Sequence, residues 1–346
     1  MITTRHNVLG LSLQELSDFA ESLGEKRFRG KQLFDWLYGK RATSFSQMTS
    51  LATSFREKLE SEACILGVSV LQAQRSPADG TTKFLIGLPD GLTVESVLIP
   101  PRRSFSGSEA SGEEEQRRLT LCISSQAGCP LDCKFCATAT MGFLRNLTAG
   151  EIVDQVIQIG RVAHRPITNV VFMGMGEPLM NYDNVMKAVE ILISGLNIAA
   201  RRITISTAGW AEKIRKMADD GCKAKLAVSL HSASDETRTR LMPINKKFPL
   251  AELLSALRYY HEKTGKRVTY EYIFFDGIND SDREVELLVR FARQVPCKIN
   301  VIPFHSIAFT GIQGIGASLR PSRRMEELVE RLRAERLTVF VRSNAG

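Results

Sequence analysis

The sequence predicts an α/β fold: a parallel sheet with covering helices, preceded by a small helical region and a β-hairpin extension. Three observations carry this. From Arg118 to the end, strand-like and helix-like segments alternate, which implies parallel strands joined by helical crossovers, as a barrel or an open sheet. From Ser12 to about Glu62 the apolar residues recur with helical period. Between Thr81 and Pro100 the period shortens to that of strands around a turn.

Taken in order, Ser12 and Glu15 fit a capping box ahead of an apolar stripe with Leu16, Phe19 and Leu23. The stretch Arg27 to Arg41 interleaves Arg27, Arg29, Lys31, Lys40 and Arg41 with Phe28, Phe34, Trp36 and Tyr38. Its aromatics can be the core of a small helical domain, or can join the cations in a face that docks RNA. This N-terminal domain is assigned to residues 1–75. In residues 76–117, the runs Thr82 to Ile86 and Thr93 to Ile99 flank Pro89-Asp90-Gly91 as a hairpin, and Ser104 to Gln116 has the small, polar, acidic composition of a mobile linker. Residues 118–346 form the third segment. Its strands are expected at Arg118 to Ser124, Thr168 to Met173, Arg202 to Ser206, Lys225 to Leu230, Arg267 to Phe275, Lys298 to Pro303 and Leu337 to Val341. Helices are expected at Ala149 to His164, Asp183 to Ser194, Trp210 to Asp219, Leu250 to Lys263, Asp282 to Gln294 and Ser322 to Glu335.

Composition narrows the function class. In 346 residues, 43% hydrophobic and 24% charged, there is enough apolar surface for a sizeable core. No apolar run reaches the roughly 18 to 20 residues of a membrane helix, and the N-terminus lacks the layout of a secretory signal, so no membrane and a cytoplasmic location are expected. A formal charge of +8 permits a nucleic-acid partner without requiring one.

The chemistry concentrates in the cysteines. There are seven, at positions 64, 122, 129, 133, 136, 222 and 297, and three of them fall within eight residues. Cys129, Cys133 and Cys136 follow a C-x3-C-x2-C spacing in the loop after the first strand of the alternating region, where barrel active sites gather. Cysteine thiolates are the usual ligands of iron–sulfur clusters, and a 4Fe-4S cluster takes four. Three leave one iron open to a substrate. A zinc site would want a fourth Cys or His, and none lies within twenty residues on the C-terminal side. Downstream, Val170 to Pro178 reads as a strand ending in a glycine-rich turn with Gly176 and Glu177; glycine admits a close approach to ligand and the carboxylate can pair with an ammonium. Ser206, and Ser229-Leu230-His231, stand at the ends of the two following strands as candidate cofactor contacts, or as satisfied strand-end groups.

The three-cysteine spacing, with Phe135 before the last thiol, resembles the radical S-adenosylmethionine superfamily. That resemblance implies that the open iron chelates S-adenosylmethionine and that an electron from the cluster splits it to a 5′-deoxyadenosyl radical. It also implies that Gly176 and Glu177 contact the methionine amino group. A closer resemblance, to the RlmN/Cfr family of radical RNA methyltransferases, rests on Val94 to Val97, Leu121 to Cys129, Asn169 to Pro178, Ser229 to His231, Pro243 to Lys247 and Pro296 to Asn300. It implies a partial (β/α)6-type barrel behind a helical RNA-contacting domain. The implied activity is methylation of adenine C2 in 23S rRNA and of the adenosine 3′ of the tRNA anticodon, the Cfr branch taking C8 instead. Adenine C2 is electrophilic and non-acidic, and the family route spends two molecules of S-adenosylmethionine per turnover. One methylates a C-terminal cysteine, and the second activates that methyl for addition to C2. The crosslink is resolved by a thiol matching Cys122 through a disulfide, with Glu95 in the place of the proton acceptor. The resemblance further implies an electron donor such as flavodoxin or ferredoxin, and a monomer.

Two departures from the family pattern stand out. His305 occupies a position that is usually Asn and contacts the cofactor; histidine can still donate or accept there. The segment that carries the methyl-bearing cysteine is expected to begin about where Ser343-Asn344-Ala345-Gly346 end the sequence, and Cys64, Cys222 and Cys297 belong to other segments. Three readings therefore stay open: the methyltransferase with its tail beyond this sequence, a radical enzyme of altered reaction, and a catalytically silent RNA-binding homologue.

Overall fold

The computed structural model describes residues 5–101 and 118–342. The expected linker, Ser104 to Gln116, and the terminal Ser343 to Gly346 lie outside the described residues. The chain divides into two compact units, one of Met1–Ser125, Asn146–Val170 and Asp183–Ile203, the other of Gln126–Arg145, Val171–Tyr182 and Thr204–Gly346.

In the first unit, β1 (His6–Asn7) leads into α1 (Leu13–Ser22). Ser12 caps α1, and both bonds of the capping box with Glu15 are formed. Helix α2 (Phe28–Phe34) continues into a wider turn, Asp35–Gly39, in which the Lys40 N–H reaches back to the Asp35 carbonyl. The aromatics of this stretch are not all core. Phe34 and Tyr38 are core, while Trp36 is half-buried beneath the Lys40 ammonium, 3.6 Å from its ring, and Phe28 is exposed beside Arg29. Helix α3 (Thr53–Glu62) returns the chain to β2 (Ala63–Cys64), which pairs in parallel with β1.

The hairpin of the sequence reading is present as β4 (Thr82–Gly87) and β5 (Thr93–Ile99), but it belongs to a larger antiparallel meander. Strand β3 (Ser69–Arg75) joins β4, and β6 (Thr120–Cys122) joins β5. Strand β3 lies within residues 1–75 but beyond the helical period of Ser12 to about Glu62, and no strand was expected there. It is an edge strand, mostly exposed and broken by a bulge between Val70 and Gln72, so it lacks the apolar alternation by which strands are read. Helix α4 (Ala149–Val162) starts on a second complete capping box, Thr148 with Glu151. Its Gln155 amide accepts from Ser96 Oγ at 2.8 Å and the Ser124 N–H at 2.9 Å, and donates to the Ser124 carbonyl at 3.0 Å. These bonds fix the helix to β5 and to the end of β6. Helix α5 (Tyr182–Ser194) completes the unit, its Lys187 paired with Glu15.

In the second unit, β7 (Gln126–Gly128) pairs with β8 (Phe143–Asn146), framing the cysteine loop. The boundary between the units falls within β9 (Asn169–Phe172). Four pairings, all parallel, then join β10 (Ile203–Thr207), β11 (Lys225–Ser229), β12 (Val268–Tyr272), β13 (Cys297–Val301) and β14 (Val339–Val341). Helices α6 (Ala211–Asp219), α7 (Asp235–Leu241), α8 (Leu250–Thr264), α9 (Asp282–Ala292) and α10 (Met325–Ala334) make the crossovers. All but α7 were expected. Its sequence, DETRTRL, has almost no apolar period, and it buries Thr237, Arg238 and Leu241.

Candidate functional site

The cysteine loop is built on a tight backbone. Gly128 takes a left-handed conformation (φ +76°), and the Cys129 N–H donates to the Gly142 carbonyl at 2.9 Å. Cys136 closes a turn on the Cys133 carbonyl at 3.1 Å, and the Lys134 N–H donates to the Leu241 carbonyl at the end of α7. Leu131, Cys133 and Phe135 lie on an apolar floor of Ala208, Leu241, Met242, Ile273, Phe275, Phe304 and Leu319. Cys129, Cys133 and Cys136 are all half-buried. Burial, first, and then the neighbouring thiols and Glu177 push Cys129 up to about 11 and raise Cys133 well above the ordinary thiol value. Thiolates here need a positive centre to replace their protons.

Among the described residues no three His, Cys, Asp or Glu side chains converge closely enough to hold a single metal ion. The donor set of this loop is three thiols, and thiolate sets suit iron–sulfur clusters, whose several metals spread their ligands apart. The residues present fit such a group.

Around this loop the strand ends converge. Gly176 has φ +99°, and a Cβ there would fall 2.5 Å from Gln126 Cβ, so only glycine passes. The Gln126 carboxamide oxygen accepts from the Glu177 N–H at 2.8 Å. The Glu177 carboxylate is buried and accepts from the Leu179 N–H at 3.0 Å and the Ala208 N–H at 2.7 Å. Burial raises its proton affinity, and these N–H donors and Thr207 oppose that. His231 is buried with φ +53°, a strained value for a side chain with a Cβ. Its Nδ1 accepts from the Ile273 N–H at 3.1 Å, its ring stands edge-on to Phe135 at 4.5 Å, and its carbonyl accepts from Asn279. The neutral ring therefore carries its proton on Nε2.

Burial and, second, the charge of Arg238 push His231 down to about 3. An unfolded histidine titrates near 6.5. The unfolded chain therefore binds a proton that the folded site refuses, and stability held above pH 6.5 is lost as the pH falls toward 3. The slope from this one group approaches about 1.4 kcal/mol per pH unit. Urea unfolding of the cofactor-free protein from pH 6.5 to 4.5 is expected to lose stability faster in the wild type than in His231→Gln, the difference in slope approaching that figure.

Ser206 on β10 and Ser229 at the end of β11 are half-buried, Leu230 is fully buried, and His305 is exposed in the loop after β13. These residues, with Gly176, Glu177, His231 and the three cysteines, all fall in the second unit. Glu95 and Cys122 fall in the first, on the paired strands β5 and β6. Glu95 is exposed and pairs with Lys83 at 3.2 Å; Cys122 is half-buried opposite Val97.

Arg238 was not foreseen. It is fully buried, and its guanidinium donates to the carbonyls of Ala208 (2.6 Å), Ser229 (3.2 Å) and Leu230 (3.2 Å) and to Asn245 Oδ1 (2.8 Å). Burial lowers its pKa to about 10, which still leaves it charged at neutral pH, and its charge favours the Cys133 thiolate. One cation thus gathers the ends of β10 and β11 beside the cysteine loop. Gln126 lies within the stretch Leu121 to Cys129, and its buried bond to the Glu177 backbone gives it a positioning place. Neither leaves a periodic or spacing signal.

The likeness of the whole chain to known proteins agrees with this geometry. Residues 123–289 match the radical SAM superfamily, and residues 6–65 match the ribosomal RNA large subunit methyltransferase N-terminal domain. The chain is 44% identical to a probable dual-specificity RNA methyltransferase RlmN of Christiangramia forsetii, over 99% of this chain and 93% of that protein. It is 42% identical to the dual-specificity RNA methyltransferase RlmN of Geobacter sulfurreducens, over 99% of this chain and 89% of that one. A crystal structure of a radical SAM methyltransferase from Sphaerobacter thermophilus, 38% identical, superposes with a TM-score of 0.84 over 99% of this chain and 96% of its own. On this likeness, which spans nearly its whole length, the chain belongs to the RlmN family of radical SAM RNA methyltransferases.

Proposed function

We propose that this enzyme methylates adenine C2 in 23S rRNA and in tRNA, at the adenosine 3′ of the anticodon, through a 4Fe-4S cluster on Cys129, Cys133 and Cys136 and two molecules of S-adenosylmethionine per turnover. The observation that carries the reading is the three-thiol loop in one compact unit with Glu177, His231 and the serines of β10 and β11. Bound there, the cluster supplies one electron to the sulfonium of S-adenosylmethionine.

The chain's own residues do the rest by placing and excluding. Glu177 offers a buried carboxylate whose two oxygens are each fixed by one N–H, leaving acceptor capacity for the methionine ammonium. Ser206, Ser229, Leu230 and His305 line the strand ends as further cofactor contacts, and neutral His231 offers an Nε2–H. The apolar floor under Phe135 excludes water from a reactive centre. Cys122 serves as the resolving thiol and Glu95 as the proton acceptor, on neighbouring strands of the first unit. Residues 1–75 act as the accessory domain that meets RNA: Trp36 under Lys40 and exposed Phe28 beside Arg29 are suited to stacking and phosphate contact. Residues 76–117 link it to the barrel segment 118–346. The electron comes from a small carrier such as flavodoxin or ferredoxin, and the enzyme works as a monomer in the cytoplasm. No described helix is long and apolar enough to cross a membrane.

The reading is tested by mass spectrometry of RNA from cells with and without the gene. 2-Methyladenosine is expected to vanish from 23S rRNA and tRNA on deletion. Unchanged 2-methyladenosine overturns the reading, and loss of 8-methyladenosine instead moves the enzyme to the other branch.

A further inference from the structure

Glu271 stands in the middle of β12, and the mechanism above has no place for it. It is 2% exposed. Its neighbours Tyr270 and Tyr272 point to the opposite face of the strand, Tyr270 against Phe291 of α9 at 5.5 Å between ring centroids. Glu271 therefore points to the face of the sheet away from that helix. The parallel register sets Ser229, Glu271 and Asn300 side by side on β11, β12 and β13, and parallel neighbours share a face. Ser229 is one of the candidate cofactor contacts, so Glu271 lies in the same layer.

The carboxylate is only half satisfied. Oε1 accepts from Asn300 Nδ2 at 3.1 Å, and Arg342 Nη2 is 3.6 Å from it, beyond hydrogen-bond reach. That Arg342 nitrogen instead lies 3.0 Å from the Met173 sulfur. Oε2 is buried and has no hydrogen-bond partner among the described residues. Native structures leave few such atoms, and a carboxylate oxygen is the costliest to strand. A missing donor is the simplest account. A metal does not fit, because no three ligating side chains converge here. A second strong cation does not fit either, with Arg342 already beside Oε1. A neutral N–H or O–H does, and burial, which raises the proton affinity of Glu271, is compatible with it.

We propose that Glu271 is a ligand-binding residue of the barrel, its Oε2 accepting a hydrogen bond from an amino or hydroxyl group of an adenosine held beside Ser229. The inference rests on the reading of this protein as an S-adenosylmethionine-dependent adenosine methyltransferase. Two adenosines share that chemistry: the cofactor, through its ribose hydroxyls, and the target nucleoside, through its 6-amino group. In the second case Glu271 also sets specificity, since guanine presents an acceptor where adenine presents a donor.

Glu271→Gln in the full-length gene product keeps the shape and the bond to Asn300 but turns a donor toward the ligand's donor. Wild-type protein, reconstituted anaerobically, is the reference for S-adenosylmethionine binding by equilibrium dialysis and for RNA methylation. If the cofactor is the ligand, its Kd in the variant rises tenfold or more. If the target adenosine is, cofactor Kd stays and kcat/KM for RNA falls tenfold or more. Should the variant not fold, the wild type is compared with cofactor analogues lacking a ribose hydroxyl and with RNA carrying purine in place of the target adenine; a tenfold loss with either supports the proposal. Binding and kcat/KM both within twofold of wild type, or no loss with any analogue, overturn it. A wild-type protein that neither binds the cofactor nor methylates RNA overturns the underlying reading instead.

Discussion

Replacing any one of Cys129, Cys133 and Cys136 with Ala is expected to abolish the visible absorbance of the anaerobically reconstituted protein, with iron falling from about four per chain toward zero. The expectation follows from the donor set. No fourth cysteine and no histidine lies between Gln126 and Arg145 to replace a lost thiol. Burial and mutual repulsion hold Cys129 and Cys133 in the protonated form without a metal, so the remaining two gain nothing by ionising. Circular dichroism of each variant should stay close to that of the wild-type apoprotein, because the loop's backbone bonds, Cys129 to Gly142 and Lys134 to Leu241, do not use the sulfurs. Absorbance retained in all three variants would remove the cluster assignment.

The second large effect is on stability. Arg238→Met is expected to lower the unfolding free energy of the cofactor-free protein by about 3–5 kcal/mol. Four buried acceptors lose their donor, at roughly 1–3 kcal/mol each, while relief of the buried charge returns part of that. Urea unfolding measures it. Arg238→Lys keeps the charge but cannot reach Ala208, Ser229, Leu230 and Asn245 with one fork, so it should fall between the two. A loss below 1 kcal/mol for the Met variant would mean that Arg238 does not hold these strand ends.

These two predictions differ in how far the sequence foretold them. The thiol loop was legible because a metal fixes both residue type and spacing locally. The parallel strands from Ile203 to Val341 were legible because each is short and preceded by an amphipathic helix. Strand β3 was not, because an exposed edge strand has no buried face to impose a period. Arg238 was not, because in Thr237-Arg238-Thr239-Arg240 it looks no different from the exposed Arg240 two residues on. Only the tertiary convergence of four acceptors distinguishes it. Glu271 is the same case on a strand: Tyr270-Glu271-Tyr272 reads as alternation with a polar face toward water, yet that face is closed.

An iron–sulfur cluster on three thiols leaves one iron open to S-adenosylmethionine, and electron paramagnetic resonance of the dithionite-reduced, reconstituted protein reads that open position. A single reduced four-iron cluster signal is expected, with g-values that shift when S-adenosylmethionine is added. A signal identical with and without S-adenosylmethionine, or no four-iron signal at all, would contradict it.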